Sequence, residues 1–439
     1  MLRRVGDFGR GGAGIPIRDA TFPAPFDSGL EYSSPARGTW NIVHTGMLIP
    51  EAHEIFVCAA GCLRGVVLTA AEMDAMDRFS TVAVREHNLL DGDLEPLIIE
   101  GVSDILEKLP KLPPAVLVYT SCVHHFTGCD LDYVYAALRE RWPQVDFTDC
   151  YMNPIMRKSG LTPDQLMRAR LYSLLKPRPI DPGAVAIIGN DLPTDPDSDL
   201  MRLLRSRRVR EITSCRTYAE YQEMAESAYY ISYYPAARAG GDILEKRLGG
   251  RHFYLPFSFD YDEIEDGFTR LAEALDLPSP DFTGKREQCG SALSEALRII
   301  GDRPIAIDYT YCPRPLGLAL LLLDAGFRVE RVYLDVVAGE EKAAFEALRE
   351  RHPELALFPT VDPQMRFHSA AEKTDFLAIG QKAAHFTNTD HFVNVVEGGG
   401  MNGFQAITKT LEYMTDAHYN TKDMRNLVQI KGLGCACCL

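Results

Sequence analysis

Eleven cysteines stand in this chain of 439 residues, and seven of them gather in three short segments. The stretch IFVCAAGCLRGVV carries Cys58 and Cys62. The stretch YTSCVHHFTGCD carries Cys122 and Cys129, with His124 and His125 between them. The last, GLGCACCL, carries Cys435, Cys437 and Cys438. Iron–sulfur clusters are held by thiolates, which stay charged only beside a metal or positive groups. Gly61 next to Cys62 and Gly128 next to Cys129 let backbone come close to a bulky inorganic core. The chemistry this pattern points to is a cluster gripped by thiolates from distant parts of the chain.

Plainer readings stand beside that one. Cys58 can be a simple apolar residue of the strand EIFVCA, since free cysteine is among the most buried residue types. Cys150, Cys215 and Cys289 read as structural. Cys312 precedes Pro313 and reads as a turn residue before it reads as a ligand. His124 and His125 can serve packing and hydrogen bonding alone. The tail thiols can be surface groups on a frayed end. The tail is no prenylation signal, because position 436 is alanine where that signal needs cysteine. The two separated C-x₂-C pairs of a zinc ribbon are absent.

The elements that must position these residues follow a repeating rhythm of apolar run, turn and helical pattern. AVLVYTS (115–121) is a buried strand ending at Cys122, followed by a helix over LDYVYAALRERW (131–142). AVAIIGND (184–191), AYYISYY (228–234) and HFYLPF (252–257) continue the strands, with a helix near 240–248. IAIDYT (305–310) leads into the helix PLGLALLLLDAG (315–326) and the strand RVERVYLDVV (328–337). Then come a helix over 339–352, strands over 375–380 and 392–397, and a helix over 403–414. Apolar strands alternating with helices predict parallel sheets covered on both faces. The expected fold class is α/β, with three doubly wound Rossmann-like domains over 46–180, 181–300 and 301–439. Residues 1–45 read as an irregular N-terminal arm. Ligands in such folds sit beyond the carboxyl ends of strands, where Cys122 and Cys312 fall.

Composition removes other functions. Lys and Arg number 46 against 61 Asp and Glu, a net charge of −15, which opposes a nucleic-acid surface. No apolar run reaches a membrane-spanning length, and Leu316 to Ala325 is interrupted by Asp324. The N-terminal MLRRVGDFGRGGAG lacks the apolar centre of a secretory signal. These features predict a soluble cytoplasmic protein with no nucleic-acid and no membrane partner. Neither GxGxxG between strand and helix nor GxxxxGK[ST] occurs. Gly398, Gly399 and Gly400 follow a strand and precede a helix. They read equally as a cofactor- or anion-binding loop and as a tight turn.

At the level of motifs the chain resembles the nitrogenase component 1 superfamily. HEIFVCAAGCLRGVV resembles that family's strand running into a glycine-cysteine pair, here Gly61-Cys62. REHNLLDGDLEPLIIEGVSDILEKLPKLPPAVLVYTSC is similar to the family's acidic-apolar-glycine segment, helix, strand and ligand cysteine, here Cys122. SYYPAARAGGDILEKRLGGRHFYLPF, DFLAIGQKAAHF and FVNVVEGGGMNGFQAITKTLEYM resemble its second and third domains. The likeness runs over about residues 33–416.

That resemblance implies three α/β domains and a paralogous partner subunit. It implies an interface cluster of the 4Fe-4S or eight-iron P-cluster-like type held by Cys58, Cys62 and Cys122. Electrons would come from an ATP-hydrolysing iron protein, which agrees with the missing phosphate loop. The chain also departs from the pattern. The region of the family's first cluster cysteine reads SGLEYSSPARGTW, with Ser33 and Ser34 in its place. The cofactor cysteine of the α-type subunit falls near Tyr233, and His385 and His391 are weak counterparts of its histidine. The resemblance therefore implies a β-type subunit, or a reductase acting on a small molecule other than N₂. C–S bond reduction, as in methylthio-alkane reductase, is the first choice. A second complex iron–sulfur cofactor, and a second metal site at Cys435, Cys437 and Cys438, complete the expectations. The alternative is a non-catalytic scaffold for iron–sulfur cofactor assembly.

Overall fold

The computed structural model describes residues 13–27, 29–39, 41–152, 161–368 and 372–429. Cys435, Cys437 and Cys438 lie outside them. The described chain folds into three sheets. β1 (Ile15–Pro16) belongs to the arm. The first sheet holds β2 (His53–Ala59), β3 (Phe79–Val84), β4 (Ala115–Ser121) and β5 (Asp146–Met152), in the order β3-β2-β4-β5. The second holds β6 (Asp181–Ile187), β7 (Arg208–Glu211), β8 (Ser227–Ser232) and β9 (Arg251–Tyr254), in the order β7-β6-β8-β9. The third holds β10 (Ile305–Asp308), β11 (Val329–Tyr333), β12 (Ala356–Phe358), β13 (Leu377–Ile379) and β14 (Phe392–Val393). Its order is β1-β12-β11-β10-β13-β14.

Every pairing is parallel except that of β1 with β12. A parallel sheet must bury both faces, and alternation along β2 and β4 shows how. Ile55, Val57, Val116 and Val118 point into one apolar core with Leu94, Ile98 and Val102 of the helix Leu94–Lys108. Phe56, Leu117 and Tyr119 point into another, which continues into the second domain through Ile188, Tyr230 and Leu244. A third core joins the second and third sheets. In each sheet strand order reverses between the first strand and a later neighbour: β2 and β4, β6 and β8, β10 and β13. Crevices open at such reversals, beyond the strand ends.

Two expected elements differ. The strand over 392–397 stops at Val393. Past it, Glu397 and Gly398 donate their amides to Thr310 and Tyr311 carbonyls across the loop, so the ladder cannot continue. The arm is not irregular throughout. Ile17 is fully buried, and its amide bonds the Leu355 carbonyl at 2.8 Å. Further along, Tyr32 bonds Val361 and Arg37 bonds Val428. Among the described residues no helix is long and apolar enough to cross a membrane.

Candidate functional site

Cys58 is the next-to-last residue of β2, Cys62 lies in the first turn of the helix Ala60–Glu72, and Cys122 opens the helix Cys122–Thr127 after β4. β2 and β4 are parallel neighbours with Val57 opposite Thr120, so the three cysteines leave the same end of the sheet at its reversal point. Their environments are graded: Cys58 is buried, Cys122 intermediate and Cys62 exposed. Burial pushes the Cys58 thiol up to about 12, and the neighbouring Cys62 and Cys122 sulfurs push the same way. The three are therefore close enough to repel as thiolates. They are not packed as for one ion. Among the described residues no three His, Cys, Asp or Glu side chains form a group able to hold a single metal ion.

The surroundings leave room. A Cβ built on Gly61 or on Gly65 would meet nothing within 4 Å. Leu68, on the helix that carries Cys62, and Phe126, on the helix that Cys122 opens, are both exposed. His124 stands beside Cys122, and its Nδ1 accepts the Ser121 amide at 3.1 Å. The ring proton therefore belongs on Nε2, which is buried with no partner among the described residues. A bulky group with several metal atoms fits the open side of this thiol set, where a compact four-ligand ion site does not.

Cys129 is not part of the convergence. Its thiol is pushed up to about 12 by burial and then by Glu95, a carboxylate that also accepts the Asp130 amide at 2.7 Å. Cys150, Cys289 and Cys312 are buried, and Cys215 donates to the Glu211 carbonyl at 3.2 Å. The glycine run makes a turn. Gly398 and Gly399 spend their amides on the Tyr311 and Val396 carbonyls. Gly400, at φ +75°, packs so tightly that a Cβ would lie 2.0 Å from the Pro193 carbonyl oxygen. Of the two readings of this run, the geometry supports the turn.

Tyr233 is buried, its hydroxyl 3.1 Å from Thr194 Oγ1. His385 lies 2.9 Å from the Gln429 amide through Nδ1, and His391 Nδ1 is 2.8 Å from the Ala417 carbonyl.

Sequence reasoning missed a second feature. A cavity of about 880 Å³ lies where the arm, the second domain and the third domain meet. Its walls come from just past strand ends: Tyr234 after β8, Tyr309 and Cys312 after β10, Asp335 after β11, Lys382 after β13 and Glu397 after β14. Ser33 and Ser34 line it too. From the first domain the helix Pro163–Leu171 adds Asp164, which is held by Arg168, whose Nε donates to it at 3.0 Å. Arg168 is almost completely buried and grips Asp191 with both terminal nitrogens, at 3.0 and 2.6 Å. The Gly-Asn-Asp turn after β6 was the available signal, but no local pattern tied it to Arg168.

A family model described as nitrogenase component 1 type oxidoreductase matches residues 43–403. Two solved structures share the fold. "Nitrogenase Cp1 at pH 6.5" is 14% identical with a TM-score of 0.63, covering 90% of this chain and 94% of that one. "Nitrogenase Cp1 at pH 5" is 11% identical with a TM-score of 0.57, covering 90% of each. No curated protein matches in sequence.

Proposed function

This chain belongs to the nitrogenase component 1 type oxidoreductases, and on that premise we propose that it is a nitrogenase-like subunit whose Cys58, Cys62 and Cys122 hold an iron–sulfur cluster where it meets a second subunit. The observation that carries this is the convergence of thiols from two stretches of chain at the reversal point of the first sheet, graded from buried to exposed. When bound, the cluster supplies one-electron transfer. The chain's own contribution is positional. Cys58 is fixed by its strand, and Cys62 and Cys122 ride on the first turns of two helices. Loading must release the Cys58 proton, since burial and two sulfurs hold that thiol neutral. Exposed Leu68 and Phe126, on the two helices that carry Cys62 and Cys122, suit a paralogous partner subunit that closes the open side. An ATP-hydrolysing iron protein delivers the electrons, and a small molecule receives them, with C–S bond reduction of methylthio-alkanes the first choice.

Anaerobic purification from an iron-replete host tests this, with iron and sulfide analysis and EPR. The reading requires a coloured protein that loses most of its iron on Cys62→Ala or Cys122→Ala. A colourless wild type overturns it. The second reading is a scaffold that carries a precursor cluster to another protein. Turnover with an iron protein, ATP and reductant separates the two: a scaffold takes up only the few electrons its cluster stores and releases no reduced product.

A further inference from the structure

The cavity at the three-way junction is lined by rings and carboxylates, a combination with a chemical preference of its own. Tyr32 from the arm, Tyr234 from the second domain and Tyr309 from the third all face it. An aromatic face carries negative charge density and attracts cations, above all onium groups that carry no strong hydration shell. Asp164, Asp335 and Glu397 add carboxylates to the same lining, while Lys382 is the one basic side chain there among the described residues. Its Nζ already lies 5.4 Å from the centre of the Tyr309 ring, occupying as an internal ammonium the place where a ligand cation would gain most. Arg168 lies behind the wall, its guanidinium 4.8 Å from the centre of the Tyr234 ring.

A second complex iron–sulfur cofactor does not fit this chamber. Such cofactors need thiolate or imidazole ligands and carry net negative charge. Among the described residues the lining has a single thiol, Cys312, which is fully buried and driven up by that burial, and no histidine. The carboxylates would repel an anionic core.

We propose that this cavity binds a small organic cation, a sulfonium or quaternary ammonium compound, caged by Tyr32, Tyr234 and Tyr309 and neutralised by Asp164, Asp335 and Glu397. The methylthio-alkanes of the proposed function are neutral, so this cation is a separate ligand and its binding does not rest on the reductase reading. Lys382 then competes with the ligand for the Tyr309 face, and Arg168 is a positioning residue that orients Asp164.

Isothermal titration of the full chain with choline, and with its neutral isostere 3,3-dimethylbutan-1-ol, tests the idea without iron, reductant or partner. Choline should bind and the isostere should bind at least on the order of tenfold more weakly. Lys382→Gln should tighten choline several-fold, a gain that a damaged fold cannot imitate, while Asp164→Asn should weaken choline and leave the isostere unchanged. Equal binding of the two probes, no binding of choline, or preference for citrate over choline overturns the proposal, as does a folded Lys382→Gln variant with unchanged affinity. Loss of the cluster reading would leave these titrations as they are, so the two can fail separately.

Discussion

Val57 and Thr120 are register partners on adjacent parallel strands, and the chain runs from each, within a few residues, to an accessible cysteine. Cys62 follows the first and Cys122 the second. The pairing of two apolar strands thereby fixes where two thiols 60 positions apart in the chain emerge.

Thiol removal should separate cluster from fold. Cys62 is exposed, so Cys62→Ala should change stability by less than about 0.5 kcal/mol while most of the iron is lost. Cys58 is fully buried, so Cys58→Ala should cost about 1–2 kcal/mol through packing as well. Urea melts beside iron analysis on the same preparations check both.

The buried ion pair of Arg168 and Asp191 should be costly to break. Arg168→Met leaves the Asp191 carboxylate unpaired among buried groups, a loss of about 3–5 kcal/mol. Asp191→Asn keeps one acceptor and should cost less. Denaturant midpoints of the two variants rank the effects.

Acid should weaken the fold through two histidines. Burial, with Arg78 nearby, holds His53 down at about 4, and burial with Lys382 holds His385 down at about 4. Below about 6.5 each of these histidines takes a proton in the unfolded chain that it refuses in the folded one, so its own share of the stability falls as pH drops from about 6.5 to about 4, against the opposite trend of buried acids such as Glu341, which burial pushes up to about 8. Each site contributes up to about 3 kcal/mol. His53 Nε2 lies 2.8 Å from Ser80 Oγ, and His53→Gln should flatten its share of that slope in chemical denaturation run across the range.

Gly400→Ala places a methyl against the Pro193 carbonyl at a backbone angle that side chains avoid. A loss of about 2–4 kcal/mol is expected. Thermal melting measures it, and native-state hydrogen exchange should show faster exchange at the Asp195 amide, which donates to the Gly400 carbonyl.

What could be read in the sequence was local. Ala115–Ser121 is legible because a β-branched run sits between Pro113-Pro114 and a cysteine. The rule that ligands gather past strand ends picks out Cys122 but equally the buried Cys312, so the grouping of Cys58, Cys62 and Cys122 comes from the family resemblance instead. Cys129 has the same spacing signal as its neighbours, yet Glu95 claims it, and only the packed helices reveal that. The glycine run looked like a ligand loop because its use as a spacer depends on Pro193, two hundred residues away. The junction cavity was invisible for the same reason: Tyr32, Asp164, Tyr234, Tyr309 and Lys382 belong to five separate segments, two of them helical, and share no pattern along the chain.

The seating of the arm has a consequence for how the molecule is made. Ile17, Tyr32 and Arg37 take their backbone partners from residues 355, 361 and 428. On the ribosome the first of these segments is synthesised long before its partners exist. It must wait, unpaired, while the first two sheets assemble. Until it docks, the outer edge of β12 stands open to any stray strand. Translation speed and chaperone supply should therefore govern the yield of this protein more than the strength of any single contact within it.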